Sequence, residues 1–101
     1  MEIKNCTLVE DGVAYFPDSP TSRGLKHLIE LESLASEGFR SVFFFVIQRM
    51  DATRFHPADH IDPAYGKELR RALEYGVEIL VYDTKIDLKT ICLNRKIPRN
   101  F

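Results

Sequence analysis

The sequence contains only two cysteines and no long hydrophobic run, and each scarcity excludes a class of protein. Cys6 and Cys92 lie far apart and outside any CxxC arrangement, so a structural zinc site lacks its closely spaced ligands, and reduced, packed thiols are expected. The longest apolar run, residues 42–47, is far too short to span a bilayer. Because Glu2 and Lys4 interrupt the start, no signal peptide is indicated. These features predict a cytoplasmic protein without membrane contacts.

The sequence also has no excess of basic residues. Fourteen Lys and Arg oppose 15 Asp and Glu, for a formal net charge of −1. Any contact with nucleic acid must therefore come from a local patch or from parts of the protein outside this sequence. The phosphate-binding glycine motifs and the Ser/His/Asp nucleophile pattern are missing as well, which argues against nucleotide triphosphate use and serine hydrolase chemistry.

What the sequence does contain predicts a single α/β domain. Alternating and continuous apolar segments predict strands, and capped amphipathic segments predict two helices. The strands are expected at residues 2–9, 13–16, 41–48 and 77–82, and the helices at 21–37 and 62–76. Helices that cross between strands indicate a mixed, mostly parallel sheet with two crossover helices. We assign residues 1–93 to the domain and residues 94–101 to an exposed, mobile tail.

One residue of the first helix does not fit its pattern. Glu32 falls inside the apolar arc formed by Leu25, Leu28, Ile29, Leu31 and Ala35. Either its side chain reaches solvent at the domain edge, or it faces a neighbour that this sequence does not contain.

Glu2 and Lys4 are the first candidates for chemistry. Side chains two apart on a strand point to the same side of the sheet, so a carboxylate lies beside an ammonium. A carboxylate can bind Mg²⁺ while a neighbouring lysine stabilises the attacking water. In isolation, this spacing is more often a solvated strand end.

The start of the first helix holds the second candidates, Arg23, Lys26 and His27. At spacings of three and four residues they share one side of the helix. Cations oppose the helix macrodipole at this end, which suggests that an anion such as phosphate binds there. An ordinary solvated face, with Glu30 balancing Lys26, is the equally weighted alternative.

A third group, Arg54, His56 and His60, lies in a segment expected to be irregular, residues 50–61. A structural role is favoured over metal binding: Phe55 and Pro57 would close the end of the sheet, and His60 would hydrogen-bond to the backbone. Arg54 remains a candidate contact to nucleic acid.

In their order and spacing, several of these motifs are similar to the sugar fermentation stimulation protein A family. The Arg-Gly-x-Lys-His-Leu and His-Ile-Asp blocks are specific, and the match covers residues 2–82. The matching stretches are Glu2-x-Lys4, Phe16-Pro17-Asp18, Thr21-x-Arg23-Gly24-x-Lys26-His27-Leu28-x-Glu30-Leu31, Arg54-Phe55-x-Pro57-Ala58-x-His60-Ile61-Asp62-x-x-Tyr65 and Gly76-Val77-Glu78-Ile79-Leu80.

The resemblance implies a domain with a restriction-endonuclease-like core, in two or three layers, that follows an N-terminal OB-like domain. It also implies DNA binding and a role in regulating sugar metabolism, maltose in particular. In the PD-(D/E)xK signature, Glu2 would be a catalytic and metal-binding carboxylate and Lys4 the catalytic lysine. Arg23, Lys26 and His27 would lie on the helix that flanks this site.

The chain departs from this pattern because it begins at Glu-x-Lys, without the preceding strand and its aspartate. A Mg²⁺ site is therefore expected to be weak, since such sites usually need one or two carboxylates. The strand at residues 2–9 would have an unpaired edge that invites a homodimer. These features leave three hypotheses: a DNA-binding module, favoured here; a Mg²⁺-dependent nuclease; and a folded but inert fragment.

Overall fold

The computed structural model describes residues 1–86, 91–99 and 101, with the exception of the side chains of residues 85, 86, 91 and 92. These residues form seven strands and two helices in the order β1 Glu2–Cys6, β2 Leu8–Glu10, β3 Val13–Phe16, α1 Ser22–Ser36, β4 Val42–Ile47, β5 Arg54–Pro57, α2 Pro63–Glu74, β6 Glu78–Ile86 and β7 Ile91–Lys96. The predicted α/β class is confirmed, and both helices lie within a residue or two of their predicted bounds. Neither helix of this described part is long and apolar enough to cross a membrane.

The strands form two sheets. In the larger one, in the order β1-β4-β6-β7, the first two pairings are parallel and the β6–β7 pairing is antiparallel. In the smaller one, β2 and β3 form an antiparallel hairpin, and β3 pairs in parallel with β5. The mixed, mostly parallel character predicted from the sequence holds for the larger sheet. The prediction of a single sheet is wrong, because each helix connects a strand of the smaller sheet to a strand of the larger one: α1 connects β3 to β4, and α2 connects β5 to β6.

Two predicted boundaries were wrong. The single strand expected at residues 2–9 is divided at the exposed Thr7, where the chain leaves the larger sheet and enters the smaller one. The segment 50–61, expected to be irregular, contains β5, which exists because β3 lies alongside it. Both outcomes depend on which strands pair, and local sequence patterns do not carry that information.

The core lies between the larger sheet and the two helices. The β4 side chains Phe43, Phe45 and Ile47 are fully buried on this face, against Leu28 of α1 and Leu69 of α2. Burying a side chain of this size stabilises the fold by about 1.5–3 kcal/mol. Packing on the apolar strand β4 therefore positions α1, and α2 packs against α1 and β5.

Asp62 joins the starts of the two helices. Its Oδ1 accepts a hydrogen bond from the Tyr65 N–H (3.1 Å) and caps α2, as predicted. Its Oδ2 accepts one from the N–H of Thr21 (3.0 Å), the residue that caps α1 through its own hydroxyl. One carboxylate thus holds two helix N-termini side by side.

Glu32 does not reach solvent, the first of the two alternatives drawn from the sequence, while a neighbour that this sequence does not contain stays a prediction. It is 6% exposed and faces α2, in the groove where Glu68 and Arg71 lie. Burial and the nearby Glu68 carboxylate raise the pKa of Glu32 to about 7, against a smaller opposing effect of Arg71. The helix pair thus contains a carboxyl group that is costly to ionise.

The C-terminal residues do not form the predicted mobile tail. Residues up to Lys96 belong to β7, Ile97 is 4% exposed in the core, and the Pro98 carbonyl accepts a hydrogen bond from the Phe55 N–H (3.0 Å). The strongest tie is Asp83 of β6, which is fully buried. Its carboxylate accepts the Arg95 backbone N–H (2.7 Å) and the guanidinium Nε (2.8 Å) and Nη2 (2.6 Å). A buried carboxylate needs such a partner, and the chain end supplies it.

The outer edge of β1 has no partner among the strands that the structure describes, since β1 stands first in its sheet. Self-association through this edge stays a prediction. Ile3, on the face turned away from the helices, is 60% exposed.

We predict that Arg95→Ala lowers the free energy of unfolding by about 3–5 kcal/mol, because it leaves the buried Asp83 carboxylate without its guanidinium partner, with the backbone N–H of residue 95 as its remaining donor from this position. Urea unfolding at pH 7 measures the change. Arg40→Ala is the matched control, since it removes the exposed ion pair to Glu78 (3.0 Å) and should cost less than about 1 kcal/mol. Equal losses in the two variants would contradict the assigned role of Arg95.

We also predict that Glu32 makes stability depend on pH. A carboxyl pKa raised from 4.5 to about 7 means that the folded state holds the proton more tightly than the unfolded state. Stability is therefore lost as pH rises through this window. Glu32→Gln should be more stable than the parent chain by roughly 1–3 kcal/mol at pH 8, with the difference shrinking toward pH 5. Unfolding curves across this range test it, with the exposed Glu30→Gln as a control expected to show no such trend.

Candidate functional site

Three of the predicted site residues meet at the edge of the larger sheet. Lys4 Nζ lies 3.1 Å from His27 Nδ1 and 3.5 Å from Glu2 Oε1, and His27 Nδ1 lies 3.5 Å from the same carboxylate oxygen. Their side chains are between 20% and 35% exposed, so each is shielded yet reachable. We call Glu2, Lys4 and His27 the β1–α1 cluster.

Strand register explains why these groups meet. Glu2 pairs with Phe43 and Lys4 with Phe45, and both phenylalanines are buried on the face that the helices cover. Alternation along β1 turns the side chains of Glu2 and Lys4 toward that same face. His27 precedes the buried Leu28 on α1, at the rim of the helix–sheet contact. The cluster therefore follows from how α1 packs on the sheet.

The cluster can exchange hydrogen bonds in two ways. A lysine ammonium only donates, so its bond to His27 requires an imidazole whose Nδ1 carries no proton. When His27 is protonated, Nδ1 instead donates toward the Glu2 carboxylate at 3.5 Å. When His27 is neutral, the Lys4 ammonium and the Glu2 carboxylate balance each other, so only a protonated imidazole gives the cluster a net positive charge that could attract an anion.

At Gly24, in the first turn of α1, the helix backbone lies unusually close to neighbouring side chains. A methyl group at this position would come within 2.8 Å of Thr21 Cγ2 and 3.3 Å of Tyr65 Cε2. Tyr65 is fully buried, and its hydroxyl has no hydrogen-bond partner among the described residues. Burial first, and then the charges of Asp62 and Glu2, raise the pKa of this hydroxyl. Tyr65 therefore lies within electrostatic reach of the cluster.

Arg23 and Lys26 are exposed on α1, next to the cluster. The first turn contains no acidic residue, and within the described chain neither side chain makes an ion pair; Glu30 does not balance Lys26 there. The helix N-terminus is partly satisfied already, because Thr21 Oγ1 accepts the Gly24 N–H (3.0 Å). An anion at this position would rely mainly on the side chains.

Arg54 lies elsewhere. It pairs with Val13 at the start of β3, whereas α1 follows the other end of that strand, at Phe16. Three residues of strand separate the two ends by about 10 Å. The structure therefore does not bring Arg54 together with Arg23 and Lys26.

The two histidines near Arg54 have structural contacts. His56 Nδ1 lies 2.8 Å from the Pro57 carbonyl oxygen, so His56 makes the backbone hydrogen bond that was predicted for His60. His60 packs edge-on against Tyr15, with ring centroids 5.1 Å apart. Phe55 and Pro57 are buried as members of β5, whereas the sequence predicted that they close the end of the sheet. Across the described residues, no group of three or more His, Cys, Asp or Glu side chains could hold a metal ion.

The packed thiol predicted from the sequence is confirmed at Cys6. This residue is free and buried, its Sγ donates to the Tyr15 carbonyl (3.1 Å), and burial raises its pKa to about 12. The side chain of Cys92 lies outside the described part.

Sequence reasoning assigned Tyr65 only to the core and missed its close approach to Gly24, in the first turn of α1. A signal was present, since a glycine inside a helix costs about 1 kcal/mol relative to alanine and often marks a close approach. Gly24 is such a residue. Which side chain approaches it was not visible in the sequence.

The fold and site define an α/β domain with a carboxylate–lysine pair on an edge strand, beside the basic start of a helix. The chain belongs to the sugar fermentation stimulation protein family: the family model described as sugar fermentation stimulation protein RE domain matches residues 1–90. The resemblance drawn from the sequence motifs is therefore confirmed.

Curated relatives agree with this assignment. The chain is 49% identical over 98 residues to the sugar fermentation stimulation protein homolog of Citrifermentans bemidjiense, and 50% identical over 98 residues to that of Geotalea daltonii. Each match covers 97% of this chain and 42% of the relative. The solved structure of Pyrococcus furiosus SfsA in complex with Ca²⁺ is similar with a TM-score of 0.92 and 32% identity, over 99% of this chain and 44% of that one. The chain thus spans less than half the length of these relatives.

We predict that Gly24→Ala destabilises the chain by about 1 kcal/mol or more, although alanine is the better helix former. The new methyl group must displace Thr21, whose hydroxyl caps α1, or the buried Tyr65 ring. Thermal unfolding measures the effect, with the exposed Ser22→Ala as control. An unchanged or raised Tm for Gly24→Ala would contradict the close approach.

Proposed function

We propose that this chain binds DNA through the phosphate backbone, at a surface formed by the β1–α1 cluster together with Arg23 and Lys26. The observation that carries the proposal is the contact of Lys4 with His27 at 3.1 Å, which adds a strand lysine to the basic start of α1. The chain as a whole has a net charge of −1, so its contact with a polyanion must be local.

The charges at this surface favour phosphate. Arg23 and Lys26 are exposed, and Lys4 balances the single carboxylate of Glu2, so the net positive charge of this surface comes from Arg23 and Lys26. Lysine and arginine contacts to phosphates supply most of the sequence-independent affinity for DNA and release counterions. Arg54 would make a separate backbone contact, on a part of the surface that lies beyond the hairpin end of β3.

The family name is consistent with a role for this binding in regulating sugar metabolism, maltose in particular. We propose that the effect on sugar metabolism is a cellular consequence of this binding. The proposed ligand of this chain is nucleic acid.

The first test is the dependence of DNA affinity on salt. Affinity should fall steeply with salt concentration, and Arg23→Ala or Lys26→Ala should each weaken it and flatten the logarithmic slope by about 0.9. Fluorescence anisotropy with a labelled duplex gives both quantities. Lys67→Ala, on the exposed surface of α2, is the matched control and should change neither. A DNA affinity that is unchanged in both Arg23→Ala and Lys26→Ala would overturn the proposal.

A second candidate is Mg²⁺-dependent cleavage of nucleic acid. Two observations favour it: Glu2 and Lys4 face the same side of β1 in contact, and the similar Pyrococcus furiosus protein is described in complex with Ca²⁺. The described residues do not complete a metal site by themselves, since the cluster offers one carboxylate and one imidazole. Mg²⁺ bound at Glu2 would need oxygen ligands from outside these residues.

Plasmid nicking separates the two candidates. For the binding function, the chain shifts supercoiled plasmid on a gel without nicking it, with or without Mn²⁺. For the nuclease, nicking requires the metal and is lost in Lys4→Ala, because the lysine stabilises the developing charge on phosphate. We expect the shift without nicking. Nicking that survives Lys4→Ala would assign the cleavage to another site.

A further inference from the structure

A second site lies in the groove between α1 and α2. The groove forms a cleft of about 510 Å³ whose lining includes Glu32, Ser33 and Glu37 from α1 and Glu68, Arg71 and Tyr75 from α2. Three carboxylates and one guanidinium leave it net negative when all are ionised. None of these residues belongs to the proposed DNA-binding surface.

Glu32 forms the buried floor of this groove. The residue is 94% buried, and its Oε1 has no hydrogen-bond partner among the described residues. A buried carboxylate oxygen without a donor is costly, and structures usually supply one. No donor in the described part of the chain reaches this oxygen.

Arg71, the cation that lines the groove, is not the missing hydrogen-bond donor to Glu32. Arg71 donates from Nη2 to the Tyr75 hydroxyl (3.2 Å) and lies over the Tyr75 ring, 5.3 Å from its centre. It makes no ion pair with Glu32 or Glu68 in the described structure, although it lines the same cleft.

The rim of the groove is apolar on both sides. Ile29 of α1 is 46% exposed and Tyr75 of α2 is 45% exposed, and both line the cleft. An acidic floor beneath an apolar rim suits a ligand with a cationic end and a short hydrocarbon chain. A metal ion fits less well, because no three ligating side chains come together in the described residues.

We propose that the α1–α2 groove binds the guanidinium or ammonium group of an alkyl cation, which donates to Glu32 and Glu68. The source is either a basic side chain of a polypeptide or a free polyamine, since both present this chemistry. The raised pKa of Glu32 is consistent with such a site: its carboxyl group holds a proton near neutral pH, and an arriving cation would release it.

Isothermal titration calorimetry at pH 7 with butylguanidinium tests the proposal. We expect saturable binding and no binding of butylurea, its neutral analogue. Glu32→Gln and Glu68→Gln should each weaken binding about tenfold or more, the effect of losing one charged hydrogen bond. Glu30→Gln, on the exposed face of α1, is the control and should bind like the parent chain. Two variants are used so that a folding defect in one leaves the other informative.

Two further arms complete the experiment. Titrations in buffers with different heats of ionisation should reveal proton release on binding, and this release should disappear in Glu32→Gln. N-acetylarginine amide and spermidine then distinguish the sources: tighter binding of the first indicates a polypeptide, and of the second a polyamine. Equal binding of butylguanidinium and butylurea, full affinity in both Gln variants, or no saturable binding of any cation would overturn the proposal.

Discussion

The parallel pairing of β1 with β4 is the constraint on which the candidate site depends. It places Glu2 opposite Phe43 and Lys4 opposite Phe45, so both polar side chains share the face covered by α1. A shift of one residue would turn them to the opposite face and leave His27 without either partner. Since β4 is the apolar strand around which the helices pack, the same register builds the core and assembles the β1–α1 cluster.

The polar groups buried in this small domain differ in whether their hydrogen bonds are satisfied. Satisfied groups stabilise the fold, whereas groups without a partner are candidates for binding. Asp83 is fully buried and accepts three hydrogen bonds from Arg95, so it ties the chain end to the sheet. Glu32, Ser41 and Tyr65 are buried without that satisfaction: one carboxyl oxygen and two hydroxyls have no partner in the described structure. Such departures from full pairing tend to concentrate where function is located. Two of the three lie close to a surface for which we propose a ligand: Glu32 lines the α1–α2 groove, and Tyr65 lies next to Gly24 in the first turn of α1.

Local chemistry in the sequence predicts much of the secondary structure but little of the pairing. Thr21 and Asp62 followed by Pro63 set both helix starts, because caps act over three residues. The division of the first strand at Thr7 and the pairing of β5 with β3 depend on contacts far along the chain. The candidate site likewise depends partly on local sequence and partly on contacts far along the chain. The side shared by Glu2 and Lys4 follows from their spacing, whereas the Lys4–His27 contact spans 23 residues and required the structure.

The most direct test of the central claim is an NMR titration of the ¹⁵N-labelled chain with a short DNA duplex. If the β1–α1 cluster and the basic start of α1 form the phosphate-binding surface, amide shifts will change chiefly over residues 21–28 and around Lys4, and added salt will reverse them. Shift changes confined to the region of Arg54, or the absence of any change at low salt, would contradict the account.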